Sequence, residues 1–134
     1  MLEIVCNPPA GTKSSADVFN QSVRLMEGEE VVAQARWQVT AGAAQGVVQI
    51  LEFTVSPARR RKGFGRQLMD AVTGQAKEHL KARKGKLRRV WMTIEQKGQV
   101  VARSFLMQFG FNHVGTISEV LKDEDLLIYL RTFN

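Results

Sequence analysis

Residues 53–68 decide the fold, and they read Phe-Thr-Val-Ser-Pro-Ala-Arg-Arg-Arg-Lys-Gly-Phe-Gly-Arg-Gln-Leu. The stretch begins as an apolar strand, passes through a basic turn and enters a long helix. Two alternate glycines remove the Cβ atoms that would keep successive backbone N–H groups from converging on an anion. The unpaired N–H groups and positive dipole end of the helix favour phosphate at the same place. The sequence therefore predicts a pyrophosphate-binding turn formed by Arg60, Arg61, Lys62, Gly63, Phe64, Gly65 and Arg66.

This turn matches a known pattern. With Val55, Pro57, Arg60, Gly63 and Gly65 in place, it resembles the acyl-CoA-binding motif V-x-P-x-x-[Q/R]-x-x-G-x-G/A of the GNAT superfamily of N-acyltransferases. It lacks the Gly-Lys-Ser/Thr ending of a P-loop, and the third glycine and later acidic residue of a dinucleotide fingerprint. The alternative interpretations are a basic, solvated turn or a nuclear-import-like run of cations.

A second segment supports the resemblance. Ala102-x-x-Phe105-Leu106-x-x-x-Gly110-Phe111 resembles the later GNAT motif A-x-x-[L/F]-Y-x-x-x-G-F, a helix that stops at a glycine. The local pattern agrees, because apolar residues recur at helical spacing and the glycine is a natural C′ residue. The two motifs stand in the expected order.

The resemblance implies an α/β fold, an α+β sandwich whose mixed central sheet has splayed middle strands and is flanked by helices. We expect one GNAT-like domain over residues 1–134. The expected strands are 2–6, 23–26, 31–39, 47–55, 90–94, 113–120 and 126–130, with helices over 65–83 and 100–109 and a short helical turn over 14–19. In strand 47–55, simple alternation places Glu52 and Thr54 on one face, together with Val48 and Ile50.

The resemblance also implies an activity, the transfer of an acetyl group from acetyl-CoA to a primary amine by direct attack. The pantetheine arm of the cofactor would pair with backbone groups of Phe53, Thr54 and Val55 between the splayed strands. Glu52 is the candidate base, acting directly or through water, and its alternative interpretation is a polar residue on a strand face. The family commonly has two helices between its first two strands, whereas about a dozen residues are available here. We therefore expect an acceptor pocket that is shallow, open or completed by another subunit.

Leu106 is a departure from the family pattern. Many GNAT enzymes have a tyrosine there to protonate the departing thiolate, and leucine cannot donate a proton. Ser104, Tyr129 or an ordered water are the alternative donors, although Ser104 is typical of a helix-surface hydroxyl and Tyr129 of a packed strand aromatic.

Charge is distributed unevenly along the chain, whose net charge is +6. Residues 59–103 contain 14 Lys/Arg and 3 Asp/Glu, a local charge of +11, and the remainder carries −5. Coenzyme A explains part of this excess. A basic cluster, defined as Lys81, Arg83, Lys84, Lys86, Arg88 and Arg89, is either a solvated helix end and loop or a nucleic-acid contact. The alternative function is thus a catalytically weak CoA-binding or nucleic-acid-binding module on a GNAT fold.

The remaining features restrict location and partners. We find no apolar run long enough for a bilayer and no signal-peptide layout, so we expect a cytoplasmic protein without a membrane partner. A single cysteine, Cys6, fits a reducing compartment. His79 and His113 have no clustered ligands, so we expect no metal. The expected partner is a small-molecule or peptide amine, and a homodimer is the expected assembly.

Overall fold

The computed structural model describes residues 2–7, 21–57, 63–96 and 100–133. This part of the chain contains seven strands, two α-helices and a short 3₁₀ helix at Ala43–Gln45. The strands are β1 Leu2–Asn7, β2 Gln21–Glu27, β3 Glu30–Thr40, β4 Val47–Val55, β5 Arg89–Glu95, β6 Asn112–Leu121 and β7 Glu124–Thr132, and the helices are α1 Phe64–Ala82 and α2 Val100–Gln108. The chain divides into two compact units, Met1–Leu87 and Arg88–Asn134.

The first unit is a four-stranded antiparallel sheet with α1 packed on one face. Its strands are in the order β1-β2-β3-β4. The β2–β3 hairpin turns at Gly28, which has a φ of 61° in the left-handed region that glycine adopts without strain. The predicted hairpin is confirmed, although both strands extend one or more residues beyond the predicted bounds.

Helix α1 covers the sheet with the apolar stripe that its sequence predicts. Its buried residues are Leu68, Met69, Val72, Ala76 and Leu80. On the sheet, Trp37 is fully buried; its indole Nε1 donates to Gln75 Oε1 at 2.7 Å, and its ring meets His79 edge-on at 5.5 Å. Because a buried indole N–H needs an acceptor, this hydrogen bond fixes the position of α1 over β3.

A β-bulge in β4 corrects one prediction. Arg36 pairs with Glu52 and the next residue, Trp37, pairs with Ile50, so Leu51 is an extra residue on β4. Residues opposed in antiparallel pairs share a face, and a bulge shifts the alternation by one. Ile50 therefore lies on the buried face with Trp37, while Glu52 lies on the other. The predicted sharing of one face by Ile50 and Glu52 is wrong.

The second unit contains β5, α2, β6 and β7. Its strands are antiparallel in the order β5-β7-β6. Helix α2 ends at Gln108, one residue before the predicted end, and Gly110 takes the predicted C′ position with a φ of 84°. The amide of Phe111 donates to the Leu106 carbonyl at 3.0 Å and that of Gly110 to the Met107 carbonyl at 3.1 Å. These two bonds form a Schellman motif that satisfies the last helical carbonyls.

The α+β class is confirmed by these elements. The splay of β4 and β5 stays a prediction, and the helical turn expected over 14–19 lies outside the described residues. Neither described helix is long and apolar enough to cross a membrane.

Candidate active site

The start of α1 has the geometry that an anion site requires. Gly63 precedes the helix with φ 79° and ψ 6°, no side chain caps the end, and the first turn has no acidic residue. The first helical bond runs from the Gln67 amide to the Gly63 carbonyl at 3.1 Å. The amides of residues 64–66 therefore precede the helical ladder and point toward the N-terminal side. A Cβ placed on Gly63 would meet no atom of the described residues within 4 Å.

The described part of the predicted turn is Gly63, Phe64, Gly65 and Arg66. Arg60, Arg61 and Lys62 lie outside the described residues. Arg66 is exposed at the first turn of α1, where its charge adds to the positive end of the helix dipole. The roles of all seven residues in phosphate binding stay predictions.

The end of β4 leads toward this turn. Phe53 lies opposite Ala35 and Val55 opposite Ala33, so both are on the face that α1 covers. Thr54 lies opposite Gln34 on the other face. The predicted contacts of these three β4 residues with a pantetheine arm stay predictions.

Glu52 is held by side chains of the neighbouring strand. Its Oε1 accepts a hydrogen bond from Gln34 Nε2 at 2.9 Å, and its Oε2 accepts one from Arg36 Nε at 2.9 Å. The side chain is 30% exposed. An ionised carboxylate has about four acceptor positions, so these two bonds leave capacity for a water or an amine. The predicted base is thus oriented and accessible.

An open pocket surrounds Glu52 on the sheet face opposite α1. Its volume is about 260 Å³, and it is lined by Ser22, Arg24, Gln34, Ala35, Arg36 and Glu52 from β2, β3 and β4. Of these, the sequence identified Glu52 alone. The others are far from it in sequence, and only the strand register places Ser22 and Arg36 in one row with it. The polar alternation in β2 and β3 was the signal that could have identified this face.

Leu106 and the two side chains considered in its place as proton donors occupy structural positions. Leu106, which cannot donate a proton, is 2% exposed. Ser104 is exposed on α2, and Tyr129 is 4% exposed and stacked on the His113 ring at 5.5 Å. These positions agree with the helix-surface and packed-aromatic interpretations.

The basic cluster is mostly exposed. Arg83 is the half-buried member, and its Nη1 donates to the His79 carbonyl at 3.4 Å within the last turn of α1. This agrees with a solvated helix end, since cations there interact favourably with the helix dipole.

Two remaining candidates for chemistry are unremarkable in structure. Within the described ranges, no group of three or more His, Cys, Asp or Glu side chains could hold a metal ion. Burial raises the pKa of the Cys6 thiol above its ordinary value, which opposes formation of the nucleophilic thiolate.

Comparison with known families decides the assignment. The sequence profile of the Acetyltransferase (GNAT) family matches residues 12–111, a span that includes both glycine motifs. The chain belongs to the GNAT acetyltransferase family. No protein of curated function matches its sequence.

Solved structures show the same fold. The ribosomal-protein-S18-alanine N-acetyltransferase from Escherichia coli superposes with a TM-score of 0.73 at 15% identity, covering 98% of this chain and 94% of that one. An IAA acetyltransferase from Bacillus cereus gives 0.72 at 12% identity, covering 99% and 100%. A protein assigned as a streptothricin acetyltransferase from Bacillus anthracis, solved with acetyl coenzyme A, gives 0.71 at 17% identity, covering 87% and 64%. At these identities the likeness establishes the GNAT fold and leaves the acceptor open.

Proposed function

We propose that this GNAT protein is an N-acetyltransferase that moves an acetyl group from acetyl-CoA to a primary amine by direct attack. One observation carries the proposal: β4 bears an oriented carboxylate, Glu52, and leads into a helix whose N-terminus opens at a left-handed glycine, Gly63. The candidate base and the candidate anion site thus follow each other along one strand-turn-helix segment.

The residues at this segment fit the cofactor. The space where a Gly63 side chain would lie is open to a phosphate, and the amides of the first helical turn supply donors without a competing acid. Gly63, Phe64, Gly65 and Arg66 would hold the pyrophosphate, with Arg60, Arg61 and Lys62 supplying further charge. Backbone groups of Phe53, Thr54 and Val55 would pair with the pantetheine arm. When bound, acetyl-CoA supplies a thioester with an electrophilic carbonyl carbon.

The protein's part in catalysis is to prepare the amine and stabilise developing charge. Glu52, fixed by Gln34 and Arg36, accepts the proton of the acceptor's ammonium group, directly or through one water. A backbone N–H in the Phe53–Val55 stretch polarises the carbonyl oxygen. Leu106 supplies no proton, so the thiolate leaves with its charge or is protonated by water.

Release of free thiol from acetyl-CoA, measured with a panel of amines between pH 6 and 9, tests this proposal. We expect Glu52→Gln to lower kcat/KM by about 10²- to 10⁴-fold, because an amide cannot accept the proton of the ammonium group. Glu29→Gln, in the exposed β2–β3 turn, is the matched control and should match the wild type. Equal rates for both variants across this range would remove Glu52 from the mechanism.

A nucleic-acid module is the second candidate, favoured by the exposed basic cluster. Binding to duplex and single-stranded oligonucleotides should then fall steeply with salt, because each phosphate contact releases counterions. Steep salt dependence without acetyl-CoA turnover would favour this alternative. We further propose a cytoplasmic location and a homodimer, the latter testable by light scattering at high protein concentration.

A further inference from the structure

Two arginines share the pocket with Glu52, and they are not equivalent. Arg36 forms an ion pair with Glu52, in which Nε donates to Oε2 at 2.9 Å. Arg24 lies opposite Gln34 of β3 and is half-buried in the pocket wall, and its guanidinium makes no hydrogen bond or ion pair with the side chains that the structure describes. Among the described residues, the pocket therefore contains one cation that its anion does not neutralise.

Guanidinium groups offer donors in a planar fork that suits carboxylates. Arg36 uses one nitrogen for Glu52 and retains its two terminal Nη groups, which carry further donors. Arg24 contributes a complete fork. Ser22, in the same row as Arg36, adds a hydroxyl to the lining.

We propose that the acceptor is a small amine that also carries a carboxylate. This inference rests on the proposed function: the amine lies at Glu52, and the acceptor's carboxylate is bound by Arg24 and the Nη groups of Arg36. The ammonium proton passes to Glu52 and on to solvent before the attack. The neutral amine nitrogen then forms the new C–N bond as the thioester C–S bond breaks, the nitrogen loses its second proton to Glu52 or to water, and the sulfur leaves with the bonding pair.

Charge supports an acceptor that carries an anionic group. Two guanidinium groups and one glutamate give the pocket a net charge of +1 among its lining residues before the acceptor's ammonium group enters. A carboxylate on the acceptor offsets that ammonium charge, whereas a polyamine would place a second cation in the pocket with Arg24. The volume of about 260 Å³ is sufficient for a small acceptor.

Matched acceptors test this inference by thiol release, with each rate corrected for the fraction of neutral amine. The pairs are L-alanine with L-alaninamide, and 4-aminobutyrate with butylamine and 1,4-diaminobutane. β-Alanine is compared with 2-aminoethyl phosphate. We expect at least one carboxylate member to exceed its uncharged partner by about 10- to 100-fold in kcat/KM, the effect of a hydrogen bond to a charged group.

Substitution of Arg24 should remove this preference. Arg24→Gln should bring the preferred amino acid to within a few-fold of its uncharged partner. Arg24→Lys, which keeps the charge but loses the fork, should retain part of the preference. Lys122→Gln, in the exposed β6–β7 turn, is the control. Thermal unfolding checks that each variant is folded.

The outcomes separate this inference from the proposed function. Acetylation of amines with no preference for a carboxylate, or a preference that survives Arg24→Gln, would overturn the inference and leave the acetyltransferase standing. A preference for 2-aminoethyl phosphate over β-alanine would also overturn it and indicate a phosphate-bearing acceptor. No acetylation of any amine would overturn the proposed function and this inference with it.

Discussion

Substitutions at Gly63 test the cofactor site most directly. Among the substituted proteins, the one with the highest Tm without ligand should bind acetyl-CoA most weakly. A residue with a side chain at φ 79° costs about 1–2 kcal/mol, and no described atom lies within 4 Å of the added Cβ to increase that cost. For 134 residues, an unfolding entropy of about 2.1 cal/mol/K per residue converts 1 kcal/mol into about 4 °C of Tm. Gly63→Ala should therefore lower Tm by about 4–7 °C.

Asparagine and aspartate tolerate the left-handed region better than alanine. Aspartate also gains about 0.3–1 kcal/mol from the helix dipole. The expected order of Tm without ligand is thus Ala, Asn, Asp and wild type, from lowest to highest.

Cofactor binding should follow a different order. At a concentration 100 times Kd, acetyl-CoA should stabilise the wild type by about 2.7 kcal/mol, or about 10 °C. Unit charges 4 Å apart repel by between about 1 kcal/mol in water and about 4 kcal/mol near a protein surface. Taking about 2 kcal/mol for the exposed Gly63→Asp, Kd rises about 30-fold and the Tm shift falls to about 3 °C. Gly63→Asn, of equal size without charge, should keep a larger shift.

A thermal-shift titration with acetyl-CoA, CoA and dephospho-CoA measures both orders in one experiment. Dephospho-CoA retains the pyrophosphate, so its shift should also fall in Gly63→Asp. If the folded aspartate variant shifts as much as the wild type, Gly63 does not adjoin the pyrophosphate. If a folded wild type shows no shift at millimolar ligand, the cofactor assignment itself is refuted.

Two further outcomes are expected elsewhere in the molecule. Leu106→Ala should lower the free energy of unfolding by about 2–5 kcal/mol, because this side chain is 2% exposed. The control is Met107→Ala, whose side chain is 62% exposed and whose loss should change the free energy of unfolding by less than about 0.5 kcal/mol. Equal Tm values for the two variants would contradict the packing described. Burial raises the pKa of Cys6, so less thiolate is present at a given pH and alkylation by iodoacetamide should be slower in the native protein than in urea, with a native rate that climbs as pH rises toward that pKa. Equal native and denatured rates at pH 8 would show that Cys6 is not shielded.

Local sequence predicted the elements that depend on local interactions. The stripe of α1 at Leu68, Val72, Ala76 and Leu80 repeats at helical spacing, and each of these residues is buried. Gly110 stops α2 because a residue at φ 84° is easiest as glycine. The position of Gly63 before α1 follows from the same conformational freedom.

The surroundings of Glu52 could not be predicted in this way. The local sequence at Leu51 and Glu52 does not indicate that Leu51 is an extra residue, because a bulge arises from the way β4 pairs with β3. Without the bulge, Glu52 would lie on the buried face with Ile50. Alternation within β2 and within β3 predicts the sheet face of Arg24 and of Arg36 separately. Only the register between the two strands brings both side chains to the same pocket.

The family, the order of helices and strands and the glycine turn could thus be predicted from the amino-acid sequence, because motif spacing, helical periodicity and left-handed glycine positions are properties of short segments. The tertiary structure was needed to place Glu52 on its face, to identify the side chains that hold it, and to show that an arginine from β2 lines the same pocket. Those relations depend on how separate strands align, and alignment is settled by packing across the sheet, where one inserted residue changes the face of every residue that follows.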